Sequence, residues 1–170
     1  AVARVTESGL PLAYVNQVGG QDELVFDGAS FVLNGDASLA VQMPAWQEAL
    51  VVTDWERTPS GWRCADGQKV VVEEGDAAAY HASMLGLRDY VDKNRFPGVV
   101  LGLSGGVDSA ICAAIAADAL GPERVHAVML PYRFTSSESL DDAAACAKAL
   151  GIRYDTVPIA PAVDGLYAML

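Results

Sequence analysis

Six residues near the middle of the chain, Ser104-Gly105-Gly106-Val107-Asp108-Ser109, bring two hydroxyls, a carboxylate and two glycines into one turn. The apolar run Val99 to Leu103 in front of them has the length and branching of a buried strand, and an Ala-rich helical segment begins about Ser109. A strand that stops at a glycine turn and feeds a helix points backbone N–H groups and the helix's positive end at an anion. Gly105 and Gly106 can take φ > 0 and leave no Cβ in the way of a phosphate, and Ser104 and Ser109 add hydroxyl donors. Asp108 is the unexpected member. At about 4 Å from a phosphate its carboxylate is repelled by ~4 kcal/mol at an effective dielectric near 20. A hard cation between the two removes the conflict, and Mg²⁺ is the natural choice. The turn therefore reads as a site for a phosphate–metal complex, with Asp108 facing the metal.

Two better-known phosphate loops do not fit. A Walker loop needs Gly-x4-Gly-Lys-Ser/Thr, and no lysine lies between Lys93 and Lys148. The dinucleotide fingerprint is not met either, because Gly102-x-x-Gly105-Gly106 has the wrong spacing. The segment resembles instead the SGGxDS loop of the ATP pyrophosphatases, which grips the pyrophosphate of ATP while an AMP group is transferred. That resemblance implies ATP and Mg²⁺ as cofactors, with the metal at Asp108. It implies an ATP-binding set of Gly102, Leu103, Ser104, Gly105, Gly106, Val107, Asp108 and Ser109, to which Met129, Arg133 and Thr135 add a border for the adenosine. An ordinary glycine turn between strand and helix is the alternative.

The elements that must position this loop follow from pattern. From Asp76 the chain turns helical, with Tyr80, Met84, Leu87 and Val91 on one face and Asp89–Lys93 as an i, i+4 pair. His81 lies in this helix with no acidic partner evident nearby and reads as a surface or interface residue. Residues 110–120 are apolar on nearly every side, which predicts a buried helix with Cys112 as a small core residue. Val125 to Leu130 is the next strand, with His126 in a structural role. Thr135 and Glu138 have capping-box spacing for the following helix, which Gly151 closes, although the same hydroxyls could serve the ligand. Arg153 to Val157 is a third strand and a new helix begins near Pro161. Strand and helix alternating in this way predict a parallel sheet. Right-handed crossovers put the glycine turn and the Tyr132 loop on one edge, where open α/β sheets bind ligands.

The first 55 residues are different. A helix end closed by Gly9 is followed by Leu12 to Asn16 as a buried strand, Gly19 to Asp22 as a turn and Leu24 to Phe26 as a short strand. A hairpin then turns at Asn34-Gly35, and Leu50 to Trp55 forms another strand. So many strands with so little helix cannot cover both faces of a sheet, so partners are missing or supplied by another copy, and a homo-oligomer is expected. Tyr14 through Ser30 (YVNQVGGQDELVFDGAS) looks like the closing part of a nitrilase-type amidase domain, and more narrowly that of the glutamine-dependent NAD⁺ synthetases. The amidase Cys–Glu–Lys set of that family would lie upstream of Ala1, and Cys64 inherits no family position, so it reads as an ordinary thiol. Asn16, Gln17, Gln21, Asp22 and Glu23 form either a polar network behind the amidase pocket or plain turn chemistry with solvated charge.

The two resemblances together imply an α/β chain. A Rossmann-like ATP-pyrophosphatase domain over 77–170 follows a connector at 57–76 and the closing strands of a nitrilase-like α-β-β-α domain at 1–56. They imply a carbon–nitrogen ligase: deamido-NAD⁺ is adenylated by ATP, and ammonia from glutamine displaces AMP. Other SGGxDS amidotransferases, a non-catalytic nucleotide-binding module and a plain amidase stay open. Both ends look cut, and this piece alone is expected to be inactive.

The composition agrees with a folded protein, 170 residues long with 52% hydrophobic and 19% charged residues. A net charge of −11 argues against nucleic acid or an anionic membrane as partner. Cys64, Cys112 and Cys146 make no metal-ligand pattern and leave one unpaired, as in a reducing compartment. No signal peptide is read at the start and no apolar run is long enough to span a bilayer, so a cytoplasmic location is expected.

Overall fold

A computed structural model describes residues 1–169. They form two compact units, Ala1–Gly86 and the residues from Leu87 onward. Leu170, the last residue of the expected 77–170 domain, lies outside the described residues.

The first unit opens with helix α1 (Val2–Ser8), which Gly9 closes in the left-handed conformation at φ 66. Strands β1 (Leu12–Tyr14), β2 (Val18–Gln21), β3 (Leu24–Asp27), β4 (Phe31–Leu33), β5 (Leu39–Gln42), β6 (Trp55–Thr58) and β7 (Gly61–Cys64) follow. They pair as an antiparallel sheet in the order β1-β4-β5 and as two hairpins, β2-β3 and β6-β7.

Several expectations shift. The segment of β1 is not buried, since Tyr14 and Val15 are exposed. Gly19 and Gly20 belong to a strand, paired with Phe26 and Val25, because a glycine still offers both ladder groups; the turn falls one step later, with Asp22 at φ 52. Leu50 to Val52 finds no strand to pair with, its Leu50 and Val52 exposed and Val51 half-buried, and the hairpin forms instead at Trp55–Cys64, partly inside the expected connector. At the Asn34 turn the left-handed residue is Ala37, at φ 63, rather than Gly35. Gly35 is needed for space: a Cβ there would stand 2.7 Å from the Gly9 carbonyl oxygen.

Asn34 itself is almost wholly buried, 1% exposed. Its side chain accepts from the Cys64 N–H at 2.8 Å and donates to the Cys64 carbonyl at 3.2 Å, clipping the β4–β5 turn to β7. The Asn34→Ala variant orphans both backbone groups of a buried residue. Urea unfolding is expected to show a loss of about 1–3 kcal/mol.

In the second unit, the end of α2 (Gly75–Lys93) leads to β8 (Val99–Gly102), α3 (Val107–Leu120), a 3₁₀ turn at Pro122–Arg124 and β9 (Val125–Met129). Then come α4 (Ser137–Leu150), β10 (Arg153–Thr156) and α5 (Ala160–Tyr167). The sheet is parallel, in the order β10-β9-β8, as strand–helix alternation requires. Its core joins Leu103, Val125, Ala127 and Ile152 to Ala113, Ala116, Ala143 and Ala147, so α3 and α4 pack through alanines.

Arg124 holds the entry to the sheet. Its guanidinium donates to the carbonyls of Pro97 and Phe96 and pairs with Asp92 at 2.9 Å. Gly98 passes so close that a Cβ would stand 2.1 Å from the Arg124 carbonyl oxygen.

Cys112 is not a core residue. It is exposed on the same helix whose Ala113, Ala116 and Leu120 are buried. An all-apolar helix gives no moment from which to choose the buried face. Cys64 is the buried thiol, and burial pushes its pKa up. A maleimide titration of the native chain is therefore expected to label Cys112 first and Cys64 only on unfolding. Among the described residues, no helix is long and apolar enough to cross a membrane.

Candidate functional site

The end of β8 continues through Leu103, which is 1% exposed and donates its N–H to the Val128 carbonyl at 3.0 Å. This anchors the start of the glycine turn to the central strand. The turn is then shaped by its two serines. The Ser109 hydroxyl accepts from the Ser104 N–H at 3.1 Å and donates to the Gly106 carbonyl at 2.9 Å, while the two hydroxyls lie 3.0 Å apart. Both expected ligand donors are thus spent first on holding the turn.

Only one of the two glycines is left-handed. Gly105 has φ 82, whereas Gly106 is extended at φ −87 and caps α3. From this cap a helical bond runs from the Ala110 N–H to the Gly106 carbonyl at 3.1 Å. The amides of Val107, Asp108 and Ser109 have the geometry of a helix start, whose N–H groups lack intrahelical acceptors. Val107 and Asp108 are exposed beside them.

A cleft of about 440 Å³ opens next to this turn. Of the residues expected at a nucleotide, Gly102, Leu103, Ser104, Met129 and Thr135 line it. Gly105 through Ser109 form the adjoining turn rather than the cleft wall. Arg133 does not line the cleft; its guanidinium lies over the rings of Tyr132 and Phe134, at 5.2 and 4.9 Å from their centroids. The sequence reading passed over Val128, Leu130 and Ser139, which also line the cleft. Phe134 and Ser136 fall within the loop it singled out.

The capping expectation is off by one residue. Ser136, not Thr135, caps α4, accepting from the Ser139 N–H at 3.1 Å. Thr135 closes the preceding turn: its hydroxyl accepts from the Tyr132 N–H at 3.1 Å, and its own N–H donates to the Tyr132 carbonyl. Burial and a hydrogen bond from the Tyr132 hydroxyl to Asp164 push that phenol's pKa up.

Among the described residues, no group of three or more His, Cys, Asp or Glu could hold a metal. That excludes an all-protein cage there but suits Mg²⁺, which keeps several waters and takes one or two carboxylates plus substrate phosphates. Asp108, exposed at a helix start beside two hydroxyls, is a donor set of that kind.

Both histidines have acidic partners that the sequence reading missed. His81 pairs with Glu73 beside a separate cavity of about 340 Å³ in the first unit. His126 pairs with Asp155 on the neighbouring strand at 2.7 Å. The His126 and Arg153 hydrogen bonds hold the Asp155 carboxyl below the usual carboxylate range.

The polar residues singled out in the first unit differ in their surroundings. Asn16 joins a partly buried network, donating to Asp27 at 2.8 Å and to the Ser30 hydroxyl at 2.9 Å. Gln21, Asp22 and Glu23 are exposed around a turn.

Residues 79–169 match the NAD synthase family. The glutamine-dependent NAD(+) synthetase of Rhodobacter capsulatus is 57% identical over 98% of this chain and 31% of its own length. Among solved structures, the glutamine-dependent NAD+ synthetase of Acinetobacter baumannii in complex with ADP superposes with a TM-score of 0.93 at 41% identity. It covers 99% of this chain and 32% of that one. The NH3-dependent NAD synthetase of Campylobacter jejuni covers 57% of this chain and 42% of its own, with a TM-score of 0.54 and 28% identity. The chain spans about a third of the length of the curated relatives it matches.

Proposed function

This chain belongs to the NAD synthase family, and from that membership we propose that it is part of an enzyme that amidates deamido-NAD⁺ to NAD⁺. ATP adenylates the nicotinate carboxylate and releases pyrophosphate; ammonia taken from glutamine then displaces AMP. The observation that carries the reading is the open cleft lined by the ends of β8 and β9, the segment after β9 and the start of α4, with the glycine turn that opens α3 beside it. The Acinetobacter baumannii relative is described in complex with ADP, which supports an adenine nucleotide as a ligand of the family.

In this reading the amides of the Gly105–Ser109 turn hold the leaving pyrophosphate by hydrogen bonding to developing negative charge. Ser104 and Ser109 keep that turn in shape. Met129 and Thr135 border the nucleoside, and Arg133, lying over the Tyr132 and Phe134 rings, stiffens the loop beside it. Asp108 holds Mg²⁺, which when bound neutralises phosphate charge. Residues 77–170 supply the first part of the synthetase domain, 57–76 a connector and 1–56 the closing part of an amidase domain that releases ammonia from glutamine. A cytoplasmic homo-oligomer with no nucleic-acid partner completes the reading. The chain by itself is expected to be inactive.

The test is ATP–pyrophosphate exchange by the intact enzyme, with deamido-NAD⁺, xanthosine monophosphate or aspartate as acceptor. Exchange with deamido-NAD⁺ alone is expected. Exchange driven by either other acceptor, or by none, defeats the assignment.

A further inference from the structure

We propose that Ser136 and Ser139 are positioning residues for the nucleotide's phosphates, acting through Gly105; this rests on reading the cleft as a nucleotide site. A Cβ at Gly105 would stand 2.3 Å from the Ser139 carbonyl oxygen and 2.8 Å from its Cα. The contact is backbone against backbone, so no rotamer change adjusts it, and where Ser139 goes Gly105 must follow. Ser139 is held in turn by Ser136, whose hydroxyl accepts the Ser139 N–H at 3.1 Å and donates to the Ser139 hydroxyl at 3.0 Å. On its other side the loop is tied to α3 by the Ser104–Ser109 bonds. The turn beside the cleft is thus pinned between two helix starts. The first turn of α4 also carries part of the cleft wall, so a shift there moves the phosphate grip away from the nucleoside border.

The mechanism acts on the phosphates beyond the α position, which separates it from a merely structural role. In the intact enzyme, the dissociation constants of ATP and AMP are measured by calorimetry for wild type, Ser136→Ala, Ser136→Thr and Ser139→Ala. Wild type is expected to hold ATP more tightly than AMP. Ser136→Ala is expected to weaken ATP by up to about fivefold, the ceiling given by the worth of a typical helix cap, with AMP changed by less than about twofold. Ser136→Thr, which can still cap, restores ATP binding. Ser139→Ala keeps the capping amide and shows a smaller loss in the same direction, a fallback should Ser136→Ala not fold. Equal weakening of ATP and AMP, or unchanged ATP binding in both alanine variants, overturns the proposal. A wild type that does not distinguish ATP from AMP overturns the nucleotide reading and this inference with it.

Discussion

Asp108→Asn in the intact enzyme is expected to cut pyrophosphate release by about 100-fold or more, comparable to loss of a main electrostatic stabiliser. Its melting temperature should stay within a few degrees of wild type. Asp108 is exposed in the first turn of α3, so its structural contribution is limited to the helix dipole, about 0.3–1 kcal/mol. Asparagine fills the same volume and tolerates that position. The sharper result is a reversal of sign. Without divalent cation, the aspartate repels a triphosphate, and the Asn variant should bind ATP more tightly than wild type. With Mg²⁺ present, wild type should bind more tightly. Only a carboxylate that faces phosphate across a cation gives opposite signs in the two conditions. If Asp108 serves the helix dipole alone, both titrations coincide for the two proteins. Calorimetry with EDTA and then with Mg²⁺ decides, independently of turnover.

The strand, the glycine turn and the helix after it were legible because each is set by short-range chemistry. A branched apolar run, two glycines and an alanine-rich stretch leave little choice, and three such alternations require a parallel sheet. What could not be read is decided by contacts across the chain. Thr135, Ser136 and Ser137 are all able to cap a helix, and the closure of the Tyr132 turn takes Thr135 out of contention. His126 meets Asp155 only once the β9–β10 register puts them diagonally opposite. Gly98 looks like a strand opener, yet it is required by the Arg124 backbone far along the sequence. Asn34 reads as a turn residue, and half of what it does is to hold Cys64. At the cleft the sequence pointed to the loop but not to Ser139, because the signal there is an absent side chain on Gly105.

The two adjacent glycines of the turn are expected to respond to alanine in opposite ways. Gly105→Ala should be the damaging change. An L-residue in the left-handed region costs about 1–2 kcal/mol. Forcing a methyl group against the Ser139 backbone adds overpacking of about 1–3 kcal/mol. Together these correspond to a fall of about 8–40 °C in melting temperature for a unit of this size. Gly106→Ala meets neither obstacle. Its φ of −87 is open to any residue, and the nearest atom to an added Cβ is the Ser104 hydroxyl oxygen at 3.5 Å. As the residue that caps α3 it should lose no more than about 1 kcal/mol, the order of an N-cap glycine exchanged for alanine. Yet Gly106 is exposed at the start of α3, where a phosphate must come close to backbone N–H groups, and a methyl group there occupies the approach. That variant should melt within about 8 °C of wild type and lose about tenfold or more in ATP affinity. A Gly106→Ala protein that binds ATP normally would mean that the phosphates do not lie against this turn. A Gly105→Ala protein that melts normally would mean that the loop can leave α4 without penalty, which the backbone contact with Ser139 forbids.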